Sequence, residues 1–219
     1  MKKYNQILFD LDGTLTDPGE GITNSVMYAL AKWDIHVSDR RELYRFIGPP
    51  LLESFARFYG FSDEDCRRAL VYYREYYADR GIFENALYGG VGEMLARLKE
   101  AGKTVVLATS KPELYAVKIL EHFGIDRYFD VFAGSDMAET RASKRDVIEY
   151  ALEQCGQPDR GSVLMVGDRE HDVIGAPQCG IACAGVLYGY GSREELSAAG
   201  ADFIAGTVSE LEGLLLGEE

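Results

Sequence analysis

The sequence predicts an α/β fold: a doubly wound parallel sheet with helices on both faces, interrupted by a separate helical segment directly after the first strand. Two observations predict it. From about Leu87 onward, short apolar runs alternate with stretches of helical periodicity, the pattern of a parallel sheet flanked by helices. Between about residues 16 and 83, every apolar pattern instead recurs at helical spacing. The expected organisation is therefore a core of residues 1–15 and 84–219 with a helical insert at 16–83.

The first strand is the run Ile7-Leu8-Phe9, which ends in Asp10-Leu11-Asp12-Gly13-Thr14-Leu15. Alternate side chains of an extended chain point the same way, so Asp10 and Asp12 bracket the point where strand becomes turn. A loop of turn formers follows, Thr16 to Gly21. Ile22, Val26, Ala29, Leu30 and Trp33 then predict a helix, and Leu43 with Phe46 a second helical patch that Ile47-Gly48-Pro49-Pro50 breaks. Leu51, Leu52, Phe55, Phe58 and Tyr59 give another helix ending at Gly60, and Ser62 with Asp65 resembles a cap for the next. In the second half, Val91 to Leu98 is a helix closed by Gly102. Residues 104–108 are a buried strand ending at Thr109-Ser110-Lys111-Pro112. Further strands are expected at 131–133, 163–166, 181–186 and 202–204. Helices are expected after the strands at 104–108, 131–133 and 163–166, and a last one carries Leu211, Leu214 and Leu215. No internal repeat is visible.

The chain has 219 residues, enough to bury a sizeable core, and a net charge of −13. That charge argues against a nucleic-acid partner, which needs a basic face. No apolar run approaches the roughly 20 residues that span a bilayer. The first apolar stretch stops at the aspartates without a small-residue cleavage site, so the expectation is a cytoplasmic protein with no membrane partner. Cys66, Cys155, Cys179 and Cys183 form no C-x-x-C pair and read as small hydrophobes rather than disulfides or a zinc site.

At the strand ends the chain places Asp10 and Asp12, then Thr109 and Ser110, then Asp168 with Asp172 four residues on, while Lys144 opens a helix. In a parallel sheet all of these reach one edge, where open α/β sheets bind ligands. Four crowded carboxylates repel one another, and a hard divalent cation such as Mg²⁺ resolves the repulsion through oxygen ligands.

As a set, Asp10-x-Asp12-Gly13-Thr14, the strand-end Thr109, Lys144 and Gly167-Asp168-x-x-x-Asp172 resemble the four motifs of the haloacid dehalogenase superfamily, in order and over nearly the whole chain. The resemblance implies a Rossmann-like core, and the helical insert is similar to that superfamily's mobile cap. Ile47-Gly48-Pro49-Pro50-Leu51, Gly167-Asp168-Arg169 and Tyr188-Gly189-Tyr190-Gly191 look like the phosphoglycolate-phosphatase-like branch. Thr140-Arg141-x-x-Lys144 also fits members described as 5′-nucleotidase-like. The implied roles are a nucleophile at Asp10 and a general acid/base at Asp12. A Mg²⁺ ion would be held by Asp10, the backbone carbonyl of Asp12 and Asp168, with Asp172 one helical turn along either binding it directly or supporting the residues that do. Phosphate would be bound by Thr109 and the Ser110 N–H, and charge neutralised by Lys144. Dehalogenases lack a carboxylate at the position of Asp12, because halide leaves without a proton, so Asp12 points to phosphoryl transfer. Arg45, Gly48, Tyr77 and Arg141 are candidate substrate contacts.

Each residue also has a plainer reading. Lys144 alone is most often a solvated helix-start lysine, Thr109 a turn former, and Asp172 a first-turn charge on a helix dipole. Two departures from the family pattern stand out, a Gly in Tyr88-Gly89-Gly90-Val91 where relatives commonly carry Pro before the helix and Pro177 where they often have Ala. Neither touches a predicted catalytic position. The expectation is a phosphatase for a small phosphorylated metabolite, as monomer or homodimer. A sugar phosphomutase and a non-catalytic phosphate sensor are the alternatives.

Overall fold

The computed structural model describes residues 4–138 and 140–217. In chain order, β1 (Gln6–Phe9) leads through a tight turn to β2 (Thr16–Asp17), then to helices α1 (Gly19–Leu30), α2 (Leu51–Tyr59) and α3 (Asp63–Tyr76). After β3 (Ala86–Leu87) come α4 (Val91–Glu100), β4 (Thr104–Pro112), α5 (Glu113–His122), β5 (Val131–Ser135) and α6 (Lys144–Gln154). The chain ends with β6 (Val163–Gly167), α7 (Glu170–Gln178), β7 (Ala182–Val186), α8 (Arg193–Ala199), β8 (Phe203–Ala205) and α9 (Val208–Leu216). No helix among the described residues is long and apolar enough to cross a membrane.

Two compact units result, Asp17–Ala86 and the remainder, which runs to Thr16 and resumes at Leu87. The remainder holds a six-stranded parallel sheet of order β5-β4-β1-β6-β7-β8. The order reverses direction at β1, a topological switch point of the kind that opens a ligand crevice beyond the strand ends. Residues Ile7, Leu8 and Phe9 are fully buried, because a central parallel strand is covered on both faces. Register does the rest: Phe9 lies opposite Leu107 of β4 and Val166 of β6, so the residues just past these positions share one edge.

β4 continues past its expected end at Thr109. Ala108 pairs with Ala133 and Pro112 with Ser135, so four steps on β4 (112 − 108) match two on β5 (135 − 133). Such a bulge takes Thr109, Ser110 and Lys111 out of the ladder, as bulges beside functional sites commonly do. Helix α8 has no counterpart in the sequence expectation. Leu196 is its only buried residue, so it shows no apolar period, although Ser192 caps it by accepting from the Glu195 N–H.

In the helical unit, α1 begins two residues before the expected loop ends. Gly21 serves packing there: a Cβ on it would meet the Gly81 carbonyl oxygen at 1.9 Å. Residues Arg40–Phe46 form 3-10 turns rather than a full α-helix, opened by the Asp39 side chain accepting from the Arg41 N–H. Phe46 packs edge-on against Phe55 at 5.2 Å, and Phe55 stacks on Phe61 at 5.9 Å, giving this unit an aromatic core of its own.

Candidate active site

The site is built at the C-terminal edge of β1, β4 and β6. The Asp10 N–H donates to the Val166 carbonyl at 2.9 Å, which holds the sheet's order one residue past β1. The chain then turns within Leu11–Thr16, with the N–H groups of Thr14, Leu15 and Thr16 all donating to the Leu11 carbonyl. Gly13 sits at φ 80°, and a Cβ there would meet Asp168 Oδ2 at 2.1 Å. Both backbone angle and space demand glycine.

Lys144 is the first residue of α6, whose N-terminus is fixed by Ser143 accepting from the Asp146 N–H. Its ammonium lies 3.0 Å from Asp10 Oδ1 and 2.8 Å from Asp172 Oδ1, and donates to the Ala108 carbonyl at 3.2 Å. Burial works against this charge, but Asp10 and Asp172 outweigh burial and raise the Lys144 pKa. The lysine is thus a permanent cation under two carboxylates.

Asp168 follows β6 and is fully buried. Its Oδ2 accepts from the Tyr190 N–H at 2.8 Å, while its Oδ1 is buried with no hydrogen-bond partner. Burial first, and then the neighbouring Asp172, push its carboxyl well above the usual range. Asp172 lies in the first turn of α7, where its Oδ2 accepts from the Arg169 N–H at 3.2 Å. Burial raises its pKa against the pull of Lys144. Carboxylate oxygens of Asp10, Asp168 and Asp172 lie within 4.8 Å of one another. A buried, all-oxygen set with one orphaned oxygen suits a hard divalent cation, which would relieve both the repulsion and the unmet acceptor.

Asp12 stands apart from that cluster. Its Oδ2 is 2.5 Å from the Lys111 ammonium, both side chains nearly buried, and its Oδ1 has no hydrogen-bond partner. Burial raises the Asp12 pKa and Lys111 draws it part of the way back. Lys111 is the residue that the motif pattern passed over. Its signal was its place directly after Thr109-Ser110 at a strand end. Thr109 is buried, and its Oγ1 accepts from the Lys111 N–H at 3.3 Å, closing the bulge; Ser110 is half-buried beside it.

The other predicted contacts have partners within their own units. Arg141 donates from Nε to the Gly134 carbonyl at 3.0 Å and lies 3.7 Å over the Tyr150 ring. Arg45 and Gly48 belong to the helical unit. The Arg45 guanidinium lies 4.3 Å over the Phe58 ring, and Gly48 has φ 102°. The cysteines are all free thiols.

Comparison with known proteins places this geometry. The family model described as haloacid dehalogenase-like hydrolase matches residues 7–186. A 5′-nucleotidase of Pseudomonas aeruginosa is 46% identical over 196 residues, 90% of this chain and 88% of the relative. The tyrosine-protein kinase PtkA of Mycobacterium tuberculosis is 40% identical over 94% of this chain and 70% of its own length. The crystal structure of a predicted phosphatase from Clostridium acetobutylicum is 47% identical and superposes with a TM-score of 0.96, covering 98% of this chain and 99% of that one.

Proposed function

The chain belongs to the haloacid dehalogenase-like hydrolases, and on that footing we propose that it is a Mg²⁺-dependent phosphatase that hydrolyses a small phosphomonoester through an aspartyl-phosphate intermediate. The observation that carries this reading is the buried Asp10–Lys144–Asp172 bridge on the sheet edge, with a second carboxyl, Asp12, two residues from the first.

In this reading Asp10 attacks phosphorus, and the P–O bond to the leaving group breaks as the new P–O bond to Asp10 forms. Asp12, protonated, gives its proton to the departing oxygen. It then takes a proton from the water that attacks the phospho-aspartate, releasing inorganic phosphate and restoring Asp10. The raised Asp12 pKa suits the first step, because burial favours the protonated acid, and Lys111 suits the second by stabilising the carboxylate. Lys144 holds Asp10 charged and offsets charge on the transferring group. Thr109 and the Ser110 N–H would bind the oxygens of that group. Asp10, Asp168, Asp172 and the Asp12 backbone carbonyl would hold the ion. When bound it neutralises phosphate oxygens and allows an acidic protein to accept an anion.

Nucleoside 5′-monophosphates and phosphoglycolate are the leading substrates. The core residues act on the phosphoryl group alone, so discrimination between leaving groups is assigned to the helical unit, including Gly48 and Arg45. The test is phosphate release from a nucleotide, phosphoglycolate, a sugar phosphate and an aryl phosphate, with and without Mg²⁺, together with chemical trapping of phospho-Asp10. Failure to release phosphate from any of them in the presence of Mg²⁺ overturns the proposal. Phosphate passed between sugars without release would instead mark a mutase.

A further inference from the structure

The segment Tyr188-Gly189-Tyr190-Gly191, between β7 and α8, crosses Asp168 and the turn after β1. Neither Gly189 nor Gly191 has a positive φ, so backbone conformation does not explain the glycines. Space does. A Cβ on Gly189 would meet the Gly13 carbonyl oxygen at 2.2 Å, Asp168 Cβ at 2.5 Å and Asp168 Oδ2 at 2.6 Å. A Cβ on Gly191 would meet the Asp168 carbonyl oxygen at 1.9 Å. The segment is also tied down on both sides. The Tyr190 N–H donates to Asp168 Oδ2 at 2.8 Å, and the Tyr188 hydroxyl donates to the Thr14 carbonyl at 3.1 Å. The Tyr188 ring is braced edge-on by Tyr88 at 5.1 Å.

These contacts decide which oxygen of Asp168 is free. Oδ2 is walled in by Gly13 and Gly189 and occupied by the Tyr190 N–H. Oδ1 is left buried and without a partner. A carboxylate free to rotate about its last torsion would present either oxygen, and ordering it on binding would cost affinity. We propose that the 188–191 segment is a positioning element for the cation site: Gly189 and the Tyr190 N–H lock Asp168 with Oδ1 presented to the ion, and the Tyr188 hydroxyl registers the segment on the turn that carries Asp12. The inference rests on the reading of Asp168 as a metal ligand. It adds a third stretch of chain, remote in sequence from the carboxylates, to what sets cation affinity.

The test measures Mn²⁺ binding to the full-length protein by electron paramagnetic resonance, with no substrate present, alongside the Mg²⁺ dependence of phosphatase rate. Gly189→Ala should weaken Mn²⁺ binding about 10- to 100-fold, the usual consequence of disturbing a group that orients a ligand. Tyr188→Phe keeps the ring and removes one neutral hydrogen bond, so it should weaken binding about two- to tenfold. In both variants the half-saturating Mg²⁺ concentration should rise by the same factor while kcat at saturating Mg²⁺ returns to within about twofold of the parent. A merely structural role would lower kcat at every Mg²⁺ concentration and leave half-saturation unchanged. Gly92→Ala, at a helical position where a Cβ meets nothing within 4 Å, should change neither quantity. If the parent binds Mn²⁺ and Tyr188→Phe and any folded Gly189→Ala bind it equally well, the positioning role is refuted. If Gly189→Ala does not fold, Tyr188→Phe decides alone. If the parent itself does not bind Mn²⁺, the metal reading beneath the proposal fails instead.

Discussion

Lys144→Met keeps most of the side chain's length and deletes its charge. The ammonium lies 3.0 Å from Asp10 and 2.8 Å from Asp172, and the three side chains are 5%, 6% and 1% exposed. Removing one partner from a buried ion pair costs about 3–5 kcal/mol, because the remaining charge is left uncompensated. Here Asp10, Asp168 and Asp172 would all remain in one cluster, which places the metal-free loss at about 4–5 kcal/mol. At about 2–4 °C per kcal/mol for a protein of this size, the melting temperature should fall by about 8–20 °C. Thermal unfolding followed by circular dichroism at pH 8 in a chelator measures it. At pH 5 the loss should shrink, because protonation relieves the same repulsion. Adding Asp172→Asn should restore about half of the loss, since the two changes share one contact and will not add. The variant's kcat should also fall about 100- to 1,000-fold through lost electrostatic stabilisation. A metal-free melting temperature within about 2 °C of the parent at pH 8 would refute the view that Lys144 neutralises the cluster.

Four further outcomes are expected. Asp10→Asn should keep its far-ultraviolet spectrum and lose turnover by about 10⁴-fold or more, read as phosphate release; substantial residual activity in a clean preparation removes Asp10 from the nucleophile's role. Lys111→Met should raise the Asp12 pKa further, since Lys111 is the group that lowers it. The alkaline limb of the kcat/KM profile, where Asp12 loses its proton, should then move to higher pH, and a limb that stays put or moves down contradicts this. Asp12, Asp168 and Asp172 hold protons more tightly folded than unfolded, so metal-free stability should fall as pH rises from about 4. The melting temperature gained on adding Mg²⁺ should accordingly be larger at pH 8 than at pH 5; an equal gain would show that carboxylate repulsion is not what the ion relieves. Gly48→Leu should change kcat/KM unequally across a nucleotide, phosphoglycolate and an aryl phosphate, by a differential of about 1–3 kcal/mol, and a uniform change would mean that this loop does not select the substrate.

What the sequence made legible was local. Asp10 and Asp12 were visible because they end an apolar run with period-two spacing, and Asp168 and Asp172 because they sit one helical turn apart after another such run. Lys144 was visible from the helix start at Ser143. Contacts between segments far apart in sequence were not legible. Lys111 meets Asp12 across 99 positions, and Tyr188 meets Thr14 across 174, and no periodicity encodes either. The bulge in β4 was hidden for a related reason. Thr109-Ser110-Lys111-Pro112 reads as a turn, and only pairing with β5 keeps it extended. Helix α8 was missed because one buried leucine makes no pattern.

The central place of β1 also has a temporal consequence. Its four residues pair on one side with Thr104 to Leu107 and on the other with Val163 to Val166. Both neighbours are synthesised long after it. At about 5–20 residues per second, the ribosome takes roughly 8 to 31 s to travel from Phe9 to Val166. Until Leu107 is made the apolar strand has both edges open, and one edge stays open until Val166, the state in which strands associate wrongly. Asp17–Ala86, whose contacts are largely its own, is complete well before then. A nascent chain would therefore acquire its helical unit early and bring the acidic ends of β1 and β6 side by side last. A ribosome-bound series of increasing length should show protease protection of residues 17–86 well before any length binds a divalent ion.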